Sequence, residues 1–125
     1  MAITHSVAIK NLIADNVASL VAEGAINLTA SLVLYTSDDG VVSTMLMDAV
    51  PFAPSVDGII TANTILPDIN TVGGTATKFS VLDLGNRIIF SGTVGKADAD
   101  LILTDNIIPV AATLTINSLT YQPEP

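Results

Sequence analysis

Apolar residues recur along this chain with two periods. Over residues 5–23, Ile9, Leu12, Ile13, Val17, Leu20 and Val21 fall three and four apart, while Lys10, Asn11, Asp15, Ser19 and Glu23 lie largely off that stripe. This spacing predicts one amphipathic helix. Thr4 or Ser6 is suited to cap its start and Gly24 to follow its end. One stripe needs one cover, and a sheet follows at once. The helix is therefore expected to pack on its own sheet, with a partner-binding face as the alternative.

From residue 25 the period becomes two. Ile26, Leu28, Ala30, Leu32 and Leu34 share one face of a strand over 25–35, and Asn27, Thr29 and Ser31 share the other. Val33 and Tyr35 add apolar bulk to that second face, so the end of the strand is expected to be covered on both sides. Ser37-Asp38-Asp39-Gly40 reads as a turn and 41–47 as the returning strand. Met45 and Met47 lie two apart on one face of it, as core filling, with an interface patch as the alternative.

Pro51 and Pro54 keep 48–58 out of a continuous ladder, with Phe52 expected to plug the core from this loop. A strand over 59–66 stops at Pro67, and 67–74 reads as a flexible connection.

The best-patterned stretch is 75–103. Phe79 and Val81 alternate with Lys78 and Ser80, Asp83-Leu84-Gly85-Asn86 supplies turn chemistry, and the chain returns through Ile88, Ile89 and Phe90. This predicts a hairpin with Phe79 and Phe90 turned inward, Gly85 at positive φ, and Ile88, Phe90 and Val94 on one face. A short strand over 101–103 and a last strand over 111–121, bulged near Asn117-Ser118, complete the pattern. One helix followed by seven or eight short strands predicts a single mainly-β domain spanning 1–125, a β-sandwich or barrel-like fold of antiparallel strands.

Composition narrows the function. The chain has 125 residues, half of them apolar and 13% charged, with no Cys and no Trp. Disulfides and thiolate chemistry are excluded. The formal charge is −8, and Lys10, Lys78, Arg87 and Lys96 are the only strong bases. Four bases cannot coat a phosphate backbone or an anionic bilayer, so neither nucleic acid nor membrane is an expected partner. Polar residues interrupt the first apolar segment, which fits neither a signal peptide nor a membrane span.

Candidate chemistry is sparse. His5 is the only histidine, stands at the helix start, and has no Gly-x-Ser-x-Gly elbow elsewhere to serve. Gly73-Gly74-Thr75 lacks the Lys-Ser/Thr of a phosphate loop. Asp98, Asp100 and Asp105 are the nearest approach to a calcium site, but the glycine and late glutamate of an EF-hand loop are missing. Carboxylates in turns more often accept backbone N–H groups. No catalytic residue, cofactor or metal is expected.

The order of strand patterns carries a resemblance. Leu34-Tyr35-Thr36 ends a strand after the amphipathic helix, and Phe52 leads to Gly58-Ile59-Ile60-Thr61-Ala62-Asn63. Gly74-Thr75-Ala76-Thr77 enters Phe79-Ser80-Val81-Leu82-Asp83. Ile89-Phe90-Ser91-Gly92-Thr93-Val94-Gly95 and Ala99-Asp100-Leu101-Ile102-Leu103 follow, before a Thr-rich last strand. Over most of its length the chain resembles small virion structural proteins of tailed bacteriophages, the capsid decoration and tail-fibre-like group.

The resemblance implies a non-enzymatic virion structural protein at the particle surface, on head or tail, and the acidic charge, compact size and absence of chemistry favour a capsid decoration (cement) protein. It would bridge subunits of the major capsid protein as a homo-oligomer such as a trimer. A tail, baseplate or fibre-associated protein is the alternative, and a small β-sandwich hydrolase a third class. Expected inter-subunit arms are the N-terminal segment with Met1, Ala2 and Ile3 and the tail with Tyr121, Gln122 and Pro123.

Overall fold

A computed structural model of the chain describes residues 6–24, 29–103, 105–116 and 119–121. The expectations for His5, for the arm residues Met1, Ala2, Ile3, Gln122 and Pro123, and for a bulge at Asn117-Ser118 lie outside the described residues.

Among the described residues one helix, α1 (Val7–Val21), precedes nine strands. The longest are β1 (Ser31–Tyr35), β2 (Val41–Leu46), β5 (Lys78–Leu82) and β6 (Ile88–Gly95). The remaining five are two residues each: β3 (Ile60–Thr61), β4 (Gly74–Thr75), β7 (Leu101–Ile102), β8 (Ile107–Ile108) and β9 (Thr120–Tyr121). Five strands form one curled sheet in the order β2-β1-β5-β6-β7. Its pairs are antiparallel except β6–β7, which is parallel over two residues. Two small antiparallel ladders, β3–β9 and β4–β8, complete the pairing. The chain is thus mainly β with one N-terminal helix, and its large sheet is mixed rather than wholly antiparallel.

The core forms where the sheet's alternation dictates. Leu32 and Leu34 of β1 stand in register with Val81 and Phe79 of β5, and all four are buried. Phe90 joins them from β6, its ring edge-on to Phe79 at 6.2 Å and tilted against Phe52 at 6.1 Å. Phe52 enters from its proline-bounded loop and is buried, as are Met45 and Met47. Val33, on the opposite face of β1, is also buried.

Two details of the hairpin differ from the sequence pattern. The register shifts between Val81 and Leu82, so Leu82 pairs with Ile88 and Ile89 is the extra residue. That bulge sends Ile88 to the outer face, where it is exposed, and leaves Phe90, Gly92 and Val94 in alternation. In the turn, Asn86 rather than Gly85 takes the left-handed conformation, at φ 63°. Asparagine tolerates that region.

The predicted strand over 59–66 shrinks to β3 flanked by single bridges, Met47 to Ile65 and Phe52 to Ala62. Residues 67–74 are no loose connection. Leu66 donates to the Leu46 carbonyl at 2.8 Å, and Val72 and Gly73 both donate to the Val42 carbonyl, so this segment runs along the free edge of β2. The predicted last strand is likewise reduced to β9, with Leu114 bridged to Asp68.

Helix α1 departs furthest from expectation. Ser6 caps it, its hydroxyl accepting from the Ile9 N–H at 3.3 Å. Ala22 is the C-cap, and Gly24, at φ 122°, follows two residues on. The buried helix residues are Ala14 and Val21, with Val17 and Ala18 packed against the core. Ile9, Leu12 and Leu20, three members of the predicted stripe, are exposed. The reason is close approach. A Cβ on Gly24 would lie 2.3 Å from the Gly85 nitrogen, and one on Gly58 would lie 2.6 Å from the Lys10 Cβ. A helix drawn in this tightly admits small side chains beneath it and leaves the large ones outside.

Candidate functional site

Alternation puts Tyr35, Lys78, Ser80, Ser91 and Thr93 on the outer face of the large sheet. Together with Asp39 they line an open depression of about 600 Å³. Asp39 arrives from the β1–β2 turn, which Thr36 organises: its N–H donates to the Gly40 carbonyl, and its hydroxyl accepts from the Gly40 N–H. The Lys78 ammonium pairs with the Asp39 carboxylate at the rim. On the floor Ser80 stands opposite Ser91, their hydroxyls 2.8 Å apart and hydrogen-bonded to one another.

A serine nucleophile needs a neighbouring base, and neither hydroxyl is bonded to an imidazole, carboxylate or free amine among the described residues. Lys78, the nearest candidate, is committed to Asp39.

The aspartates singled out by sequence serve local structure. One Asp100 carboxylate oxygen accepts from the Thr93 N–H at 3.0 Å and from its hydroxyl at 3.2 Å. The Asp100 N–H donates back to the Thr93 hydroxyl at 3.1 Å. These bonds fold residues 96–100 against the edge of β6, just where β7 begins. Asp98 takes the left-handed conformation in that loop, at φ 52°. Asp105 accepts from the Ile107 N–H at 3.0 Å. The structure does not gather the three: among the described residues no group of three or more His, Asp or Glu side chains could hold a metal ion.

Two aspartates that sequence reasoning passed over are the most heavily used. Asp83 is buried in the β5–β6 turn. Its carboxylate accepts from the N–H groups of Arg87 and Gly85, both at 2.8 Å, and from the Arg87 Nε at 3.1 Å. The Arg87 N–H bond is the main reason its pKa lies below the ordinary carboxylate value. Burial opposes this, and the Gly85 bond and the guanidinium assist it.

Asp68 stands beside the edge of β2, where its carboxylate accepts from the Ser43 hydroxyl at 2.7 Å and from the Asn70 N–H at 3.0 Å. Burial raises its pKa, but hydrogen bonds from Asn70, Ser43 and the Thr44 N–H outweigh it and the net shift is downward. A usable signal exists in sequence. Asp48, Asp68, Asp83 and Asp105 each accept from the N–H two residues on, the turn that aspartate favours locally. Much of the acidic charge is therefore turn chemistry.

Large apolar side chains are exposed in separate regions. Val7, Ile9, Leu12 and Leu20 project from α1. Ile69, Val72, Ile107 and Val110, each more than 60% exposed, lie on segments tied together by Thr71. The Thr71 hydroxyl donates to the Pro109 carbonyl at 2.6 Å and accepts from the Ala112 N–H at 3.1 Å. Leu46 and Ile88 add to the outer face of the sheet. Tyr121, proposed from sequence as part of an arm, is half-buried, with its ring 4.8 Å from that of Phe90. Among the described residues no helix is long and apolar enough to cross a membrane.

No protein-family model, curated protein or solved structure matches this chain.

Proposed function

We propose that this chain is a non-enzymatic structural protein of a tailed-bacteriophage particle, a capsid decoration protein that bridges neighbouring major capsid subunits. One observation carries the reading: a well-packed core coexists with large apolar side chains displayed in several separate regions. Exposed apolar patches on a folded domain mark contact surfaces, and a protein built into a lattice needs more than one. Each square ångström of apolar surface covered contributes about 25 cal/mol, and repetition over a shell multiplies weak contacts through avidity.

The serine pair and the structural aspartates agree with this role, since they organise strands and turns. The terminal segments with Met1–Ile3 and with Gln122–Pro123 act as arms between subunits in this reading, the latter anchored by Tyr121 on Phe90. Closure of the small ladders over the large sheet into a sandwich or barrel is its finer structural form.

Quantitative mass spectrometry of purified particles tests it. A copy number comparable to that of the major capsid protein is expected. A handful of copies, confined to the tail, would instead favour a tail or baseplate component, and absence from the particle would overturn the reading altogether.

A further inference from the structure

We propose that the depression on the outer face of the large sheet is a binding site for a neutral sugar ring, one hexopyranose unit of a glycan. Strand register makes its shape. Across β1, β5 and β6 the outward residues fall in rows, with Tyr35 beside Lys78 and Thr93, and Val33 beside Ser80 and Ser91. Leu82 and Ile88 stand in the next row. Two small serines thus lie between longer side chains on either hand, in a hollow of about 600 Å³. That falls within the range of about 300–1,000 Å³ typical of small-molecule sites.

The polar groups are held in place without a ligand. Asp39 takes the left-handed conformation at φ 65°, and its N–H donates to the Thr36 carbonyl at 3.0 Å. That turn sets the carboxylate at the rim, paired with the Lys78 ammonium. On the floor, the Ser80–Ser91 bond joins two neighbouring strands. Each group keeps unused capacity. A carboxylate accepts several hydrogen bonds, an ammonium donates several, and a hydroxyl both donates and accepts. The ion pair and the serine pair use only part of that capacity. The Tyr35 hydroxyl has no partner among the described residues.

The occupant follows from what these groups match. Asp39 only accepts and Lys78 only donates, so the pair fits a ligand whose adjacent groups do both. Neighbouring hydroxyls of a sugar ring do so. The walls supply the other half of the match. Ile88, 59% exposed, and the Tyr35 ring offer apolar surface to the C–H face of the sugar. Charge disfavours the competitors. Lys78 and Asp39 cancel at the rim, and the chain as a whole carries −8, which repels an anion. A cation would have to displace Lys78 from Asp39. A wholly apolar ligand would strip water from the ion pair and the hydroxyls without replacing it.

The isolated full chain suffices for the test, so its outcome is separate from that of the particle reading. Nuclear magnetic resonance titration of isotope-labelled protein with glucose, galactose, mannose and N-acetylglucosamine should give saturable amide shifts for at least one of them. The shifts should centre on Tyr35, Lys78, Ser80 and Ser91. Asp39→Asn and Ser91→Ala should keep the spectrum of the folded protein, the first weakening binding about tenfold or more and the second about threefold. Val110→Ser, in a separate region, should leave it unchanged. Glucuronate and inorganic phosphate should bind at least about tenfold more weakly than the neutral sugar. Absence of saturable shifts with all of the neutral sugars would overturn the proposal. So would shifts centred elsewhere, glucuronate or phosphate binding as tightly, or affinity undiminished in both Asp39→Asn and Ser91→Ala.

Discussion

The β5–β6 hairpin and helix α1 are both rich in branched apolar residues, yet they dispose of them in opposite ways. The hairpin buries Phe79, 3% exposed, and Val81, wholly covered, and of its large apolar side chains exposes only Ile88. The helix buries Ala14 and Val21 and shows Ile9, Leu12 and Leu20. Periodicity states which residues share a face. It does not state which face meets the body, because that depends on how closely the backbone approaches. Gly24 and Gly58 settle the matter for α1 by admitting the neighbouring chain to within a distance that a Cβ would block.

Substitutions at matched positions sharpen this contrast. Phe79→Ala removes a ring packed edge-on to Phe90 and should cost about 3–5 kcal/mol, read from the urea midpoint. Leu12→Ala, measured on monomeric protein, should change stability by no more than about 0.5 kcal/mol. Comparable losses at the two positions would show that the helix is packed like the hairpin.

Gly92→Ala probes the hairpin's own close contact. A Cβ there would meet the Phe79 ring at 2.7 Å and the Asp100 carboxylate at 2.8 Å. Overpacking of this kind costs about 1–3 kcal/mol, and Asp100→Ala in the same background should recover part of it. No recovery would mean that the clash lies wholly with the ring.

Acid should loosen the hairpin turn and the β2 edge together. Asp83 and Asp68 both have lowered folded-state pKa values. The stability they confer is full above the unfolded carboxylate value of about 3.9 and is lost as pH falls through the lowered folded values. The urea midpoint should hold steady down to about pH 5 and decline below about pH 4. Asp83→Asn should flatten that decline, and an unchanged slope would exclude Asp83 as a source of it.

Within the hairpin the smallest effect is expected at Ser80→Ala, which removes one side of a hydroxyl pair. A net loss of about 0.5–1.5 kcal/mol is expected, read from the urea midpoint.

These positions also show how far the sequence was legible. β1, β2, β5 and β6 could be read because alternation and turn residues are local signals, as in Asp38-Asp39-Gly40 and Asp83-Leu84-Gly85-Asn86. The Ile89 bulge could not, since a one-residue register shift leaves the apolar run unchanged and only redirects Ile88. The two-residue ladders β3–β9 and β4–β8 join segments far apart in the chain, so pairing across the fold defines them rather than their own pattern. Residues 67–74 looked like a tether because their bonds go to β2. In the candidate site the aspartates were visible as acids, but their use was not. Asp100 finds Thr93 only when β6 and the following loop fold together.

The most direct test of the contrast is hydroxyl-radical footprinting of α1 in the isolated protein and in the assembled particle of the proposed function. Oxidation of Leu12 and Leu20 should fall several-fold on assembly, while Phe79 stays protected in both states. Equal oxidation of Leu12 and Leu20 in the two states would contradict the proposal that the exposed face of the helix is a contact surface.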